Sequence, residues 1–217
     1  MINRDKNKYR NKYRIPSSRL QNWDYRKNAA YFVTICTKNR ECYFGDVVCG
    51  KMHLSNIGET AHAFWLEIPR HFSSVKLNDY IVMPNHFHGV VVIDTPDCEI
   101  EMDDSGVDAL PVGVFPVEDT LPVETLHATS LPAVKNDRMA AISPKPGSLS
   151  AIVRSYKSAV TRHARRIDPD FSWQSRFHDH IIRNDESYQT IVEYIKNNPL
   201  KWGEDKYYAP GDKGRIE

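Results

Sequence analysis

The chain has 217 residues, 41% of them hydrophobic and 11% aromatic, and a formal net charge of +1. That length suits one well-cored domain with room for an insertion and is too short for two large ones. No apolar run reaches the ~18 residues of a membrane span, and the N-terminal stretch is polar and basic with no signal-peptide core, so the cytoplasm is the expected compartment.

The near-neutral total hides a division. Residues 1–27 carry nine Lys/Arg against Asp5 and Asp24, about +7, and read as a basic arm with Tyr9, Tyr13, Trp23 and Tyr25 interleaved. Residues 94–130 carry ten Asp/Glu and no Lys/Arg, so −10, which leaves +4 for the remainder. A chain with its acidity packed into one segment can present a basic surface elsewhere, which is compatible with a nucleic-acid partner.

After the arm, Ala30–Lys38 alternates, with Tyr31, Val33 and Ile35 on one face and Phe32 and Thr34 on the other: a strand. A second short strand is expected around Val47–His53, after a turn at Gly45-Asp46. Ser55 then suits a helix N-cap, followed by Ala61, Phe64, Trp65 and Ile68 at helical spacing, with Pro69 at or near the end. Leu77–Met83 and His86–Ile93 read as strands punctuated by Met83-Pro84-Asn85.

Residues 94–146 differ in character: acidic, rich in Pro and Val, with Leu-Pro steps at 110, 121 and 131. They read as a low-complexity, disordered insertion extending outward from the core. Order is expected to return at Ser148 or Ser150, either of which can cap a helix to about Arg166. Leu149, Ile152, Val153, Tyr156 and Val160 form its apolar stripe, with Arg154, Lys157, Arg162, Arg165 and Arg166 opposite. A strand over Phe177–Arg183 and a helix over residues 186–198, stopped by Pro199, complete a core of β-β-α-β-β-(insertion)-α-β-α. Paired strands with helices between the pairs predict an α+β domain, one mostly antiparallel sheet with helices packed on it. The expected organisation is an arm over 1–27, a domain over 28–205 and a tail over 206–217.

The four cysteines (36, 42, 49 and 98) read as reduced thiols. A zinc site from Cys36, Cys42, Cys49 and His53 is disfavoured, because no pair has the tight spacing of a zinc knuckle.

His86-Phe87-His88 carries more chemistry. Residues i and i+2 of a strand share a face, so both imidazoles can converge on one ion while Phe87 turns into the core. Two histidines are too few for a stable site. Tyr194 and Asn198, four apart on the last helix, share a face; Asn198 offers an amide oxygen as a hard third ligand, and Tyr194 a nucleophile beside it. Taken singly, Tyr194 reads as a packing residue and Asn198 as a C-cap; the combination points to a site.

The blocks Val82-Met83-Pro84-Asn85-His86-Phe87-His88-Gly89, Trp173-Gln174, His180-Ile181-Ile182-Arg183 and Tyr194-Ile195-x-x-Asn198-Pro199-x-Lys201-Trp202 occur in this order. Together they resemble the REP-associated branch of the single-tyrosine HUH transposases, over about residues 28–93 and 147–205. The resemblance implies an RRM-like (ferredoxin-like) core that works as a homodimer on single-stranded or hairpin DNA. It implies His86, His88 and Asn198 as ligands of Mg²⁺ or Mn²⁺, and Tyr194 as the nucleophile that forms a 5′-phosphotyrosine link. Asn198 stands where many relatives have Gln, and the insertion at 94–146 departs from the family's compact form. Arg154, Lys157, Arg162, Arg165 and Lys201 are the expected DNA contacts. Lys201 and His180 are candidates for activating the phenol; Tyr156, in the apolar stripe, is expected to pack rather than attack. A hairpin-binding descendant that no longer cuts and an RNA-binding protein on the same sheet are the alternatives.

Overall fold

The structure, a computed structural model, describes residues 8–9, 12–13, 19–20, 22–95 and 143–208. Most of the insertion, including its Leu-Pro steps and Cys98, lies outside the described residues, as do much of the arm and residues 209–217. Within the arm, Lys8–Tyr9 pairs with Lys12–Tyr13.

A four-stranded antiparallel sheet organises the rest. Its strands are β1 (Ala29–Cys36), β4 (Val75–Met83), β5 (His86–Ile93) and β6 (His178–Ile182), in the spatial order β4-β5-β1-β6. Helix α1 (Asn56–His71) links β1 to β4, and α2 (Leu149–Ile167) links β5 to β6. This is the βαββαβ arrangement of the ferredoxin-like fold, an α+β class. Helix α3 (Asp185–Asn197) follows.

The expected single strand over 47–53 is instead a hairpin, β2 (Gly45–Val48) with β3 (Lys51–Leu54). Gly45 and Asp46 belong to its first strand, and the reversal falls at Cys49 and Gly50, both at positive φ (51° and 71°). A non-glycine residue in that region is unusual, so Cys49 gave no turn signal.

Each helix starts on a side-chain cap. Ser55 Oγ accepts from Gly58 N–H at 3.1 Å, Ser148 Oγ from Ala151 N–H at 3.3 Å, and Asn184 Oδ1 from Ser187 N–H at 2.9 Å. Pro69 sits inside the last turn of α1.

Strand alternation divides the sheet. Tyr31, Val33, Ile35, Phe87 and Val91, all fully buried, face α1 and α2, where Trp65 lies 4.4 Å from Phe87 and 5.3 Å from Tyr156 between ring centroids. Each such side chain contributes about 1.5–3 kcal/mol by leaving water, so this cluster holds both helices on one face. Gly89 belongs to the same contact: a Cβ there would come within 2.4 Å of Trp65 Cζ2. Gly89→Ala is expected to lower stability by about 1–3 kcal/mol, read as a chemical-denaturation midpoint, because a packed indole cannot yield without moving its neighbours.

The opposite face carries Phe32, Thr34, His86 and His88, and α3 lies over it. A bulge in β4 between Leu77 and Tyr80 turns Asn78 and Asp79 out toward that helix. Tyr188 of α3 donates to Asp79 at 2.8 Å and accepts from Asn78 at 3.1 Å, and Lys196 approaches Asp79 at 3.9 Å. These ties fix the rotation of α3, while Val192 and Ile195 bury its inner side.

Candidate metal and nucleophile centre

His86 and His88 point from β5 to the α3 face and are fully buried. Each ring is held through Nδ1. Asn85 Oδ1 lies 2.9 Å from His86 Nδ1, while the Asn85 amide nitrogen donates to the carbonyls of Arg40 (3.0 Å) and Tyr207 (2.9 Å). With both amide hydrogens spent on carbonyls, the Asn85 oxygen can only accept, so His86 carries its hydrogen on Nδ1 and keeps a lone pair on Nε2. Thr34 Oγ1 sits 2.9 Å from His88 Nδ1 and can hold that ring in the same tautomer. A side-chain oxygen behind each imidazole is how ligating histidines are oriented.

Tyr194 projects from α3 so that its hydroxyl lies 3.2 Å from His88 Nε2, with its ring edge-on to Phe32. Asn198, four residues on, is the C-cap residue of α3, yet its side chain turns inward and is 3% exposed. The i, i+4 spacing therefore places both beside the histidines, as the sequence predicts.

The fourth group was not foreseen. Asp205 follows the short 3₁₀ turn Trp202–Glu204. Its Oδ2 accepts from the Asn198 amide nitrogen at 3.2 Å and lies 3.4 Å from the Tyr194 hydroxyl; its Oδ1 accepts from Tyr207 N–H at 2.7 Å. Tyr207 packs against His86 at a tilt of 42°, with centroids 4.6 Å apart.

Ligand atoms of His86, His88 and Asp205 lie within 4.8 Å of one another. His86 Nε2 and Asn198 Oδ1 are buried without a hydrogen-bond partner. A buried polar atom left unpaired costs about 1–3 kcal/mol, and here two unpaired lone-pair atoms sit in one cluster with no hydrogen to offer each other. A water could pair two such atoms, but the gathering of two imidazoles and a carboxylate beside them suits a cation better. Two imidazoles with amide and carboxylate oxygens fit Mn²⁺ well, and Mg²⁺ through the oxygens. The disfavoured cysteine zinc cluster does not form: Cys36, Cys42 and Cys49 are in no disulfide, and among the described residues only the histidine–aspartate group gathers ligands.

Electrostatics agree with ligand duty. Burial, reinforced by Lys206 and Arg40, lowers the His86 pKa to about 3, and burial also holds His88 well below the usual imidazole value. Both rings are therefore neutral at pH 7. Burial, with Asp205 adding to it, pushes the Tyr194 phenol up to about 12, so it does not ionise unaided.

Asn85→Ala is expected to remove the support behind His86. It should cost about 1–3 kcal/mol in urea-induced unfolding, through the orphaned Arg40 and Tyr207 carbonyls, and about 10- to 100-fold in Mn²⁺ affinity by calorimetry.

A cleft of about 880 Å³ opens over the centre, lined by Phe32, His88, His180, Tyr194, Asn198, Lys201 and Asp205 among others. Lys201 and His180 thus reach the cleft that holds Tyr194, whose hydroxyl has His88, Asp205 and the Asn198 amide as its neighbours. Of the other cations expected to contact DNA, Arg154 and Lys157 line a separate cleft of about 820 Å³ with Arg19, Lys145 and Trp23. Lys157 donates to the Gln174 carbonyl, and burial lowers its pKa to about 8. Arg165 donates to the Phe171 carbonyl at 3.1 Å, and Arg162 is exposed farther along α2. Tyr156 is buried and donates to the Ala61 carbonyl, as expected of a packing residue.

No family model matches the chain. Similar solved structures include a REP-associated tyrosine transposase bound to a REP hairpin, at 20% identity and TM-score 0.49 over 88% of this chain and 77% of that one. Another is a candidate transposase of Deinococcus radiodurans, at 13% identity and TM-score 0.36 over 83% of this chain and 97% of that one. An uncharacterized protein of Haemophilus influenzae is 35% identical over 194 residues, 89% of this chain and 92% of the relative. On that similarity, spanning nearly all of both chains, this chain belongs to one family with the Haemophilus influenzae protein.

Proposed function

We propose that the chain is a single-strand DNA endonuclease and strand transferase of the tyrosine HUH type. The observation that supports this reading best is the Tyr194 hydroxyl set 3.2 Å from His88 Nε2, beside two buried acceptor atoms that lack partners, His86 Nε2 and Asn198 Oδ1. A nucleophile next to a cation-fitting cluster in an open cleft suits attack on a phosphodiester.

His86, His88 and Asn198 would hold a divalent ion, with the Asp205 carboxylate close by. Such an ion, Mg²⁺ or Mn²⁺, supplies charge neutralisation at a phosphate. The chain's own part is to present Tyr194. Its Oη forms a bond to phosphorus as the bond from phosphorus to the 3′ oxygen breaks; the DNA 5′ end is left on tyrosine and a 3′-OH is released. Attack by that hydroxyl, or one from another strand, reverses the step and joins ends. Lys201, exposed at the rim, would meet a phosphate beside the nucleophile, and Phe32 and His180 offer ring faces to unpaired bases. Arg154 and Lys157 would contact a strand farther off, and Arg162 and Arg165 add positive charge along α2. A homodimer belongs to this reading as well.

The test is incubation with labelled single-stranded hairpin oligonucleotides and Mn²⁺ or Mg²⁺, resolved on a denaturing protein gel. The expected result is a covalent protein–DNA band that disappears with EDTA. Tight binding to hairpin DNA with no such band under any metal condition would instead establish a non-cleaving hairpin binder.

A further inference from the structure

We propose that Asp205 is a positioning residue of this centre: it aims the Asn198 amide oxygen at the histidines and takes over the Tyr194 hydroxyl hydrogen when His88 serves as a ligand. The proposal rests on the reading above and adds a residue that no motif contains.

The argument begins with what a carboxylate can do. It accepts hydrogen bonds and offers none. Asp205 Oδ2 lies 3.2 Å from one end of the Asn198 amide, so that end must be the NH₂ group. The amide is planar, so its oxygen faces the other way, and there it is buried and unpartnered. Turning the amide over would set oxygen against carboxylate oxygen and put NH₂ hydrogens where lone pairs are needed. Asp205 therefore makes Asn198 a ligand rather than a donor. Its own position is fixed independently, since Oδ1 accepts from Tyr207 N–H at 2.7 Å and its backbone N–H donates to the Trp202 carbonyl at 3.1 Å.

The phenol follows the same logic. The Tyr194 hydroxyl lies 3.2 Å from His88 Nε2 and 3.4 Å from Asp205 Oδ2, with the Asn198 amide also against it. An imidazole nitrogen engaged as a ligand has no lone pair left for a hydroxyl. With His88 so engaged, the phenolic hydrogen turns to Asp205. Positioning the ligand amide and orienting the nucleophile thus share one carboxylate.

Asp205→Asn is the informative change. It is isosteric, and its amide oxygen can still accept from Tyr207 N–H, but it then shows NH₂ to Asn198 and favours the inverted amide. Mn²⁺ affinity is measured by electron paramagnetic resonance of the free ion for wild type, Asp205→Asn, Asn198→Ala and the double variant, with thermal unfolding to check the fold. Asp205→Asn and Asn198→Ala should each weaken Mn²⁺ by roughly tenfold or more. The double variant should be no weaker than Asn198→Ala alone, because Asp205 acts through Asn198. At saturating Mn²⁺, Asp205→Asn should still form covalent adduct at least ~10-fold more slowly than wild type. Wild-type Mn²⁺ affinity in Asp205→Asn, or losses that multiply in the double variant as for an independent ligand, would overturn the amide role. An unchanged adduct rate at saturation would overturn the phenol role. A wild-type protein that binds no Mn²⁺ sinks the metal centre itself, a separate and recognisable failure.

Discussion

Tyr194→Phe is expected to abolish the covalent protein–DNA band while leaving the fold and the metal centre in place. The ring is 39% exposed, and its hydroxyl bonds are long at 3.2 and 3.4 Å, so deleting one oxygen should change stability by less than ~0.5 kcal/mol. Loss of a nucleophile, by contrast, removes the step it performs; a fall of at least 10³-fold, roughly, is the expectation. Mn²⁺ affinity should stay near the wild-type value, because Phe leaves His86, His88 and Asn198 untouched. Tyr156→Phe supplies the contrast. That hydroxyl is buried and bonded to the Ala61 carbonyl at 3.1 Å, so its loss should cost about 1 kcal/mol of stability and nothing in adduct yield. A band that survives in Tyr194→Phe and disappears in Tyr156→Phe would reverse the assignment.

The contrast between these two tyrosines was only partly legible in the sequence: taken singly both read as packing residues, and the helical period separates only the faces they take. Tyr156 falls in the apolar stripe of α2 and Tyr194 off the Val192/Ile195 stripe of α3, and burial follows. The two-residue period of β5 likewise sends Phe87 to the helix pair and His86 and His88 to the α3 face. Periodicity reports which face a side chain takes. It does not report what waits there.

Asp205 shows that limit. It stands seven residues past Asn198 in a short turn with no period, and only the packing of that turn against the end of α3 brings its carboxylate to Tyr194. Asn85 was read as turn punctuation, which it is; its further duty lies in bonds to residues 45 and 122 positions away. Such roles depend on tertiary closure, and no local pattern encodes them. The bulge at Asn78 and Asp79 is similar: a strand prediction locates β4 but not the added residue that turns Asp79 toward α3.

The second large effect concerns acid. His86 has a folded pKa of about 3 against 6.5 for the free side chain, so between those values the unfolded chain binds a proton that the folded chain refuses. Stability then rises with pH across that window and falls as pH drops through 6.5, levelling only below about 3. At 1.36 kcal/mol per unit the loss is on the order of 5 kcal/mol from His86, a large share of a typical domain's 5–15 kcal/mol. His88, displaced in the same direction by its own burial and by His86, adds to it. Urea unfolding in EDTA should therefore show a midpoint that drops steeply from pH 6.5 to pH 4. His86→Gln should be less stable at pH 7, where the Asn85 oxygen loses its imidazole partner, but distinctly less sensitive to acid. Equal acid slopes in the two proteins would mean that the ring gains a proton without unfolding. A pocket open enough for that would not hold His86 neutral, and the case for a preformed cation site would weaken with it.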